Sequence, residues 1–306
     1  MYNADLAFDK APPLDAPFRF FITAPLFGMV ASSLLGWYGT ESLLTRWAPP
    51  LLSITHLITL GVLAMVMVGA VVQMVAVVAG SPAAHPRLLG GLVHIALSLG
   101  VICLGGAFLS AQLLWMQLAV VLLGVGVTGF VALALVTLIR APRAHDTVLG
   151  MKLAVVALAV ALGIGLTLAA GHAFEGISLH RFPLTNIHLG WGIAGWIGLL
   201  VVGVAFQVVP MFQITPNYPD WMTRWLIKLI FTGLMLWTVG DMLTFWYAAG
   251  WAWVSRLGGA LLLLGFGAFA VVTLRLQSQR RRRLPDVTTD FWRIGMSSLL
   301  FGGAVW

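Results

Sequence analysis

The residues of this chain best equipped for chemistry are its histidines, since neutral imidazole binds metals and costs free energy inside a membrane unless it finds a partner. There are seven. His188 opens the glycine-studded stretch Asn186-Ile187-His188-Leu189-Gly190-Trp191-Gly192, which runs on to Gln207-Val208-Val209-Pro210-Met211. His56 lies near the start of an earlier apolar run, His172 closes another, and His180 sits between His172 and His188. Two imidazoles offered by different helices suit the iron of a b-type haem clamped inside a bundle, and imidazole is also a good copper ligand.

The elements that must present them are membrane spans. Of the 306 residues, 60% are hydrophobic and only 9% charged, and the mean hydropathy is +0.98. Apolar runs of roughly 20 residues, enough to cross the hydrocarbon core, recur along the chain. They fall at about 18–38, 51–78, 88–109, 113–139, 149–170, 186–211, 225–247 and 252–274. A shorter segment, 291–306, is part-spanning or interfacial, or the natural chain continues past it. The expected fold is all-α: a polytopic transmembrane helix bundle of eight to nine spans, with residues 1–17 as a cytoplasmic tail and 18–306 as one membrane domain.

The net charge of +7 does not call for nucleic acid, because the basic residues sit between spans and act as topology signals. If the spans alternate, Lys10, Arg19, Arg87, Arg140, Arg143, Lys152, Arg224, Lys228, Arg275, Arg280 to Arg283 and Arg293 share one side, against Arg46, Arg181 and Arg256 on the other. The positive-inside rule makes the first side cytoplasmic, with the N-terminus, in a bacterial inner membrane. His56, His172 and His188 then share the outer surface. The single cysteine, Cys103, lies within a span, which excludes disulfides, thiolate zinc sites and a c-type haem attachment.

Each feature carries a blander alternative. On a helix, Gly192, Gly195 and Gly203 fall within about 60° of His188, so they form either a smooth groove for a flat macrocycle or close-packing positions against neighbouring helices. Arg181 is placed by sequence either to hold a haem propionate or to anchor at the interface. His180 is a metal-ligand candidate or a solvated loop residue. Asp241, in the seventh span, either orients a ligating histidine or pairs with Arg256. His85 and His145 lie in inner loops and His94 enters the third span from the inner side, apart from the outer group.

Thr55-His56-Leu57-Ile58-Thr59-Leu60-Gly61, with His188-Leu189-Gly190-Trp191-Gly192 and Gly203-Val204-Ala205-Phe206-Gln207-Val208-Val209-Pro210, resembles the histidine-bearing helices of the haem-copper oxidase subunit I superfamily. It also resembles NnrS-type haem and copper membrane proteins, whose first span opens with an arginine among aromatics, as Phe18-Arg19-Phe20-Phe21 does here. The resemblance covers 80 to 100 residues and implies haem or metal ligation at His56 and His188. It does not extend to oxygen reduction, because the chain has neither an adjacent histidine pair nor a His-x-His. The two stretches also resemble each other: each follows His-Leu with Gly-x-x-x-Gln, at Gly69 to Gln73 and Gly203 to Gln207, with a two-residue slip between histidine and glycine.

The expectation is therefore a haem b protein, with copper as a second candidate. Its candidate ligands are His56, His188, His172 and His180, and Arg181, Gly192 and Gly195 flank the cofactor. It would act in electron transfer or in nitric oxide or oxygen-linked respiration, with a periplasmic or membrane electron donor or a respiratory complex as partner and the lipid bilayer around it. Catalytic turnover is left open. The rival readings are a proton-coupled transporter and a cofactor-free assembly or scaffold subunit of a respiratory complex.

Overall fold

The computed structural model describes residues 6–141, 146–174, 180–281 and 284–305, with the Arg181 side chain excluded. Among the described residues there is no strand. Eight helices are long and apolar enough to cross a membrane: α1 Asp15–Leu43, α2 Pro49–Val77, α3 Pro86–Ser110, α4 Leu113–Ile139, α5 Asp146–Ala173, α6 Phe182–Gln213, α7 Asp220–Trp246 and α8 Ala249–Ser278. A ninth helix, α9, runs Val287–Val305. The protein is a multi-pass helical membrane protein. In hydrocarbon only a helix satisfies every backbone group within one segment, so apolar runs of this length have no other stable form.

Proline marks where several helices begin. Pro49 and Pro86 stand in the first turns of α2 and α3, where a missing N–H leaves no bond unmade. Gly39 ends the α-helical part of α1 at φ 51°, a backbone that only glycine adopts without strain.

The chain divides into two compact units. The first comprises Met1–Arg143 with Ala159–His188; the second comprises Ala144–Leu158 with Leu189–Trp306. In the first, α1 packs on α2 through glycine: a methyl on Gly61 would lie 2.6 Å from Phe27 Cγ, and one on Gly69 would lie 3.0 Å from Phe20 Cβ. In α4, Gly126 fits against Ala96 of α3, whose Cβ would be 2.8 Å from such a methyl. The segment before α1 is tied down by Ala7 N–H donating to Val77 O at 3.0 Å and Lys10 Nζ to Gly80 O at 2.9 Å.

The second unit repeats the pattern. Gly195 of α6 meets Ala157 of α5, 2.7 Å from its Cβ, and Gly203 meets Gly150, 2.9 Å from its Cα. Gly265 of α8 meets Ile230 of α7. Gly61, Gly69 and Gln73 are separated from Gly195, Gly203 and Gln207 by one constant interval. Their partners Phe27 and Phe20 stand in an equally constant relation to Ala157 and Gly150. The weak sequence repeat is thus a repeat of helix contacts, α1 on α2 in the first unit and α5 on α6 in the second.

The two-residue slip also has a location. In α2 a π-helical segment, Leu57–Ala64, follows His56 directly; in α6 the π-helical segment Trp191–Gly198 begins after Leu189 and Gly190. Both π segments hold the same register, with Gly61 and Gly195 inside them and Gly69 and Gly203 inward of them. The histidines alone are displaced. In that register Gly190 corresponds to His56, and the indole of Trp237 fills the space where a side chain on Gly190 would go.

Candidate metal centre

His56 reaches its place because α2 begins at Pro49 and carries it two turns into the helix. Its Nδ1–H donates to Leu52 O, one turn back, at 2.7 Å. His188 comes from the second turn of α6, and its Nδ1–H donates across to Ala161 O of α5 at 2.9 Å. A carbonyl oxygen can only accept, so both rings are fixed with the proton on Nδ1, and each neutral ring keeps its lone pair on Nε2. A backbone carbonyl that accepts from the far nitrogen is the usual way a protein prepares a histidine as a ligand.

The two ring centroids are 6.4 Å apart, with planes 20° from parallel. If each gave one nitrogen to the same metal at about 2 Å, the ring centres would stand roughly 6 Å apart. The centroid separation matches that of two imidazoles sharing one ion. Gly165 makes room for this arrangement, since a methyl there would lie 2.7 Å from His188 Cε1 and 3.2 Å from Nδ1. On the other side, Phe108 of α3 lies 5.4 Å from His56, ring to ring.

Buried beside this pair is an unpaired hydroxyl. Ser53 is one turn before His56, fully buried, and its Oγ has no partner among the described residues. Gly105 lies against it, so that a methyl there would sit 3.1 Å from the hydroxyl.

The other candidates are distributed differently. His172 is exposed in the last turn of α5, with the ring of Phe108 6.5 Å away and edge-on at 85°. His180 is exposed ahead of α6. The Arg181 side chain lies outside the described residues. Arg46, which shares the expected outer side with it, places Nη2 3.0 Å from Asn186 Oδ1 and its guanidinium over the rings of Trp47 and Phe182. Gly192 has open space where a methyl would go, whereas Gly195 and Gly203 are taken up by packing against α5. The packing alternative holds for those two glycines.

Asp241 forms no ion pair with Arg256 among the described residues. Its hydrogen-bonding neighbour is Ser255 of α8. His94 is committed elsewhere: Thr23 Oγ1 donates to Arg19 O at 2.8 Å, so it accepts from His94 Nε2–H, also at 2.8 Å, and Phe20 lies edge-on to the ring. That is a satisfied core histidine.

Among the described residues no three His, Cys, Asp or Glu side chains gather as a metal site, so a metal at the pair would have two protein ligands. Sequence reasoning missed Gly165, Phe108 and the two carbonyls. A glycine two turns before His172 on α5 is the one trace of them in the sequence, and it reads equally well as a packing position. Comparison with known proteins finds no matching family, no matching curated protein and no matching solved structure, so any functional reading stands on the geometry alone.

Proposed function

We propose that this chain is a redox protein of the bacterial inner membrane, holding the iron of haem b between His56 and His188 and serving electron transfer in nitric oxide or oxygen-linked respiration. One observation carries the reading: two imidazoles from different helices, each pinned through Nδ1 to a backbone carbonyl, with near-parallel planes and centroids 6.4 Å apart. A haem held by His56 and His188 would supply a one-electron couple, tuned by those ligands and by the carbonyls that accept from them. The protein's part is to fix both tautomers, exclude water with Phe108, and keep His188 seated on Gly165.

A copper(I) ion is the second reading, favoured by the packing of Gly195 and Gly203 against α5. The surface on which a macrocycle was expected to rest is thereby reduced, while a bare ion needs only the two nitrogens. Soft, low-coordinate copper(I) accepts imidazole readily.

The deciding experiment is the reduced-minus-oxidised absorption spectrum of purified protein, with haem extraction and metal analysis on the same sample. A b-type spectrum, lost in both His56→Ala and His188→Ala, is the expected result. Copper without haem, lost in the same variants, selects the second reading. A colourless, metal-free, well-folded protein defeats both and moves the function to a transporter or an assembly subunit.

A further inference from the structure

Asp241 is left without the ion pair that the sequence offered it. Among the described residues it is the one acidic side chain carried into the body of a span, more than a turn inside the α7 end at Trp246; Asp15, Glu41, Asp146, Asp220 and Asp290 stand in first or last turns. Around it α7 and α8 approach closely. Gly233, Trp237, Gly240 and Thr244 recur every three or four residues along α7. A methyl on Gly233 would lie 3.0 Å from Gly258 O, Gly258 lies against the backbone N of Trp237, and Gly240 lies against the backbone N of Ser255.

This seam holds two hydroxyls. Ser255, the hydrogen-bonding neighbour of Asp241, gives its one proton to Ala252 O at 3.1 Å, so it offers the carboxyl lone pairs. Thr244 lies three residues beyond Asp241, a neighbour on the helix surface. Its Oγ1 is buried and has no partner among the described residues. Thr238 and Thr273 return their hydroxyls to the carbonyl one turn back, at 2.9 and 2.7 Å; Thr244 does not.

No cation takes the place of a proton. On α8 the charged residues are Arg256, exposed and not paired with Asp241 among the described residues, and Arg275 at the far end. On α7, Asp220, Arg224 and Lys228 lie toward the opposite end, and the exposed Tyr247 follows Trp246. The one titratable residue of α6 is His188, whose Nδ1–H is held by Ala161 O. A carboxylate at Asp241 would face the lone pairs of Ser255 with the backbone N–H groups spent inside the helices, and an unpaired charge in a span is costly. A carboxylic acid instead donates to Ser255.

From this we infer that Asp241 is a proton-binding site, a neutral acid at rest, with the Thr244 hydroxyl as a donor held in reserve. On release the O–H bond of the half-buried Asp241 breaks and the proton goes to water. The hydroxyls of Ser255 and Thr244 then turn to the carboxylate. The site lies wholly within the second unit and is independent of the cofactor reading. It gives the protein the binding and release of one proton, which any proton-coupled process in a membrane requires.

Dicyclohexylcarbodiimide, which partitions into apolar phases, reacts with a carboxylic acid and not with a carboxylate. The acid's proton moves to a carbodiimide nitrogen as its oxygen bonds to the central carbon, and acyl transfer to nitrogen leaves a stable acylurea. The full chain, purified in detergent, is treated from neutral to alkaline pH and the label mapped by mass spectrometry. Wild type is expected to carry one label, on Asp241, at neutral pH and to lose it as pH rises. Asp15, whose two oxygens accept from Arg87 Nε at 3.0 Å each, stays unlabelled and serves as the internal control.

Thr244→Val removes the reserve donor and should raise the pH midpoint of labelling by about one to two units, the worth of a hydrogen bond to a charged group. Thr244→Ser should keep the wild-type midpoint. An Asp241 unlabelled at neutral pH, or a midpoint unmoved in well-folded Thr244→Val, overturns the proposal. Labelling that sodium chloride blocks at constant pH also overturns it, by making the site one for a sodium ion. Because the first readout is taken on wild type, it decides even where a variant fails to fold.

Discussion

At the scale of single residues, the tautomers of His56 and His188 matter more than the residue types. An imidazole in hydrocarbon is costly unless its N–H is satisfied, and here both N–H groups are spent on carbonyls. What remains is a pair of lone-pair nitrogens. Gly165 is the residue on which this depends most directly, and it supplies an internal control. Gly165→Val drives a side chain into the ring of His188, and overpacking of this kind costs about 1–3 kcal/mol. Gly163, two residues earlier, has nothing within 4 Å of a would-be methyl. The expected outcome is a lower thermal midpoint and loss of bound cofactor in Gly165→Val, with Gly163→Ala indistinguishable from wild type in both. Equal behaviour of the two variants would show that His188 is not seated as described. The histidine pair was legible in the sequence because an ionisable residue in an apolar run stands out by type. Gly165 and Phe108 were not, because their role follows from how α5 and α3 are rotated about their axes, and no span with so little amphipathic contrast reports its own rotation.

At the scale of elements, each π-helical segment sits immediately inward of a histidine or two residues away from it. Such a segment commonly accommodates about one extra residue within an otherwise α-helical run, without disturbing the flanks. In α2 the flank inward of the segment is fixed by Gly69 on Phe20, and the flank outward carries His56. Removing one residue, Ile58, should let the segment close to α-helix with His56 still pointing at His188. Removing Ile58 and Thr59 together exceeds the surplus and swings His56 by about 100° relative to Gly69. The expected outcome is that the single deletion keeps the bound cofactor and a monodisperse protein, and the double deletion loses the cofactor. Loss in both would mean that the segment holds no surplus residue. The sequence placed α2 and α6 within a few residues of their observed limits, because apolar run length is a direct reading of what crosses a bilayer. It could not place the π segments, since Leu57–Ala64 has the composition of any apolar helix.

At the scale of the whole molecule, the repeat of helix contacts and the distribution of charge bear on orientation. In the repeat, Trp237 fills the space beside Gly190, the counterpart of His56. The second unit therefore has no matching place for a histidine, and one centre per chain is the expected stoichiometry. Orientation follows from charge. Of the 17 lysines and arginines, 14 lie before α1, in its first turns, or in and beside the helix ends that border the α2–α3, α4–α5, α6–α7 and α8–α9 connections, which share one side when the spans alternate. Only Arg46, Arg181 and Arg256 fall on the other. Positive residues near span ends resist translocation, and their count over short loops decides the side. Reporter fusions test this directly. Alkaline phosphatase joined after Gln112 or Ala248 should be active and after Ala141 or Gln279 inactive, with green fluorescent protein giving the reverse pattern. That result puts the end of α5 bearing His172, and the histidine pair below it, at the periplasmic face, where an extracytoplasmic donor or metal ion would arrive. The opposite pattern would put the same rings at the cytoplasmic face, and the source of the electron or the ion would have to be sought in the cytoplasm.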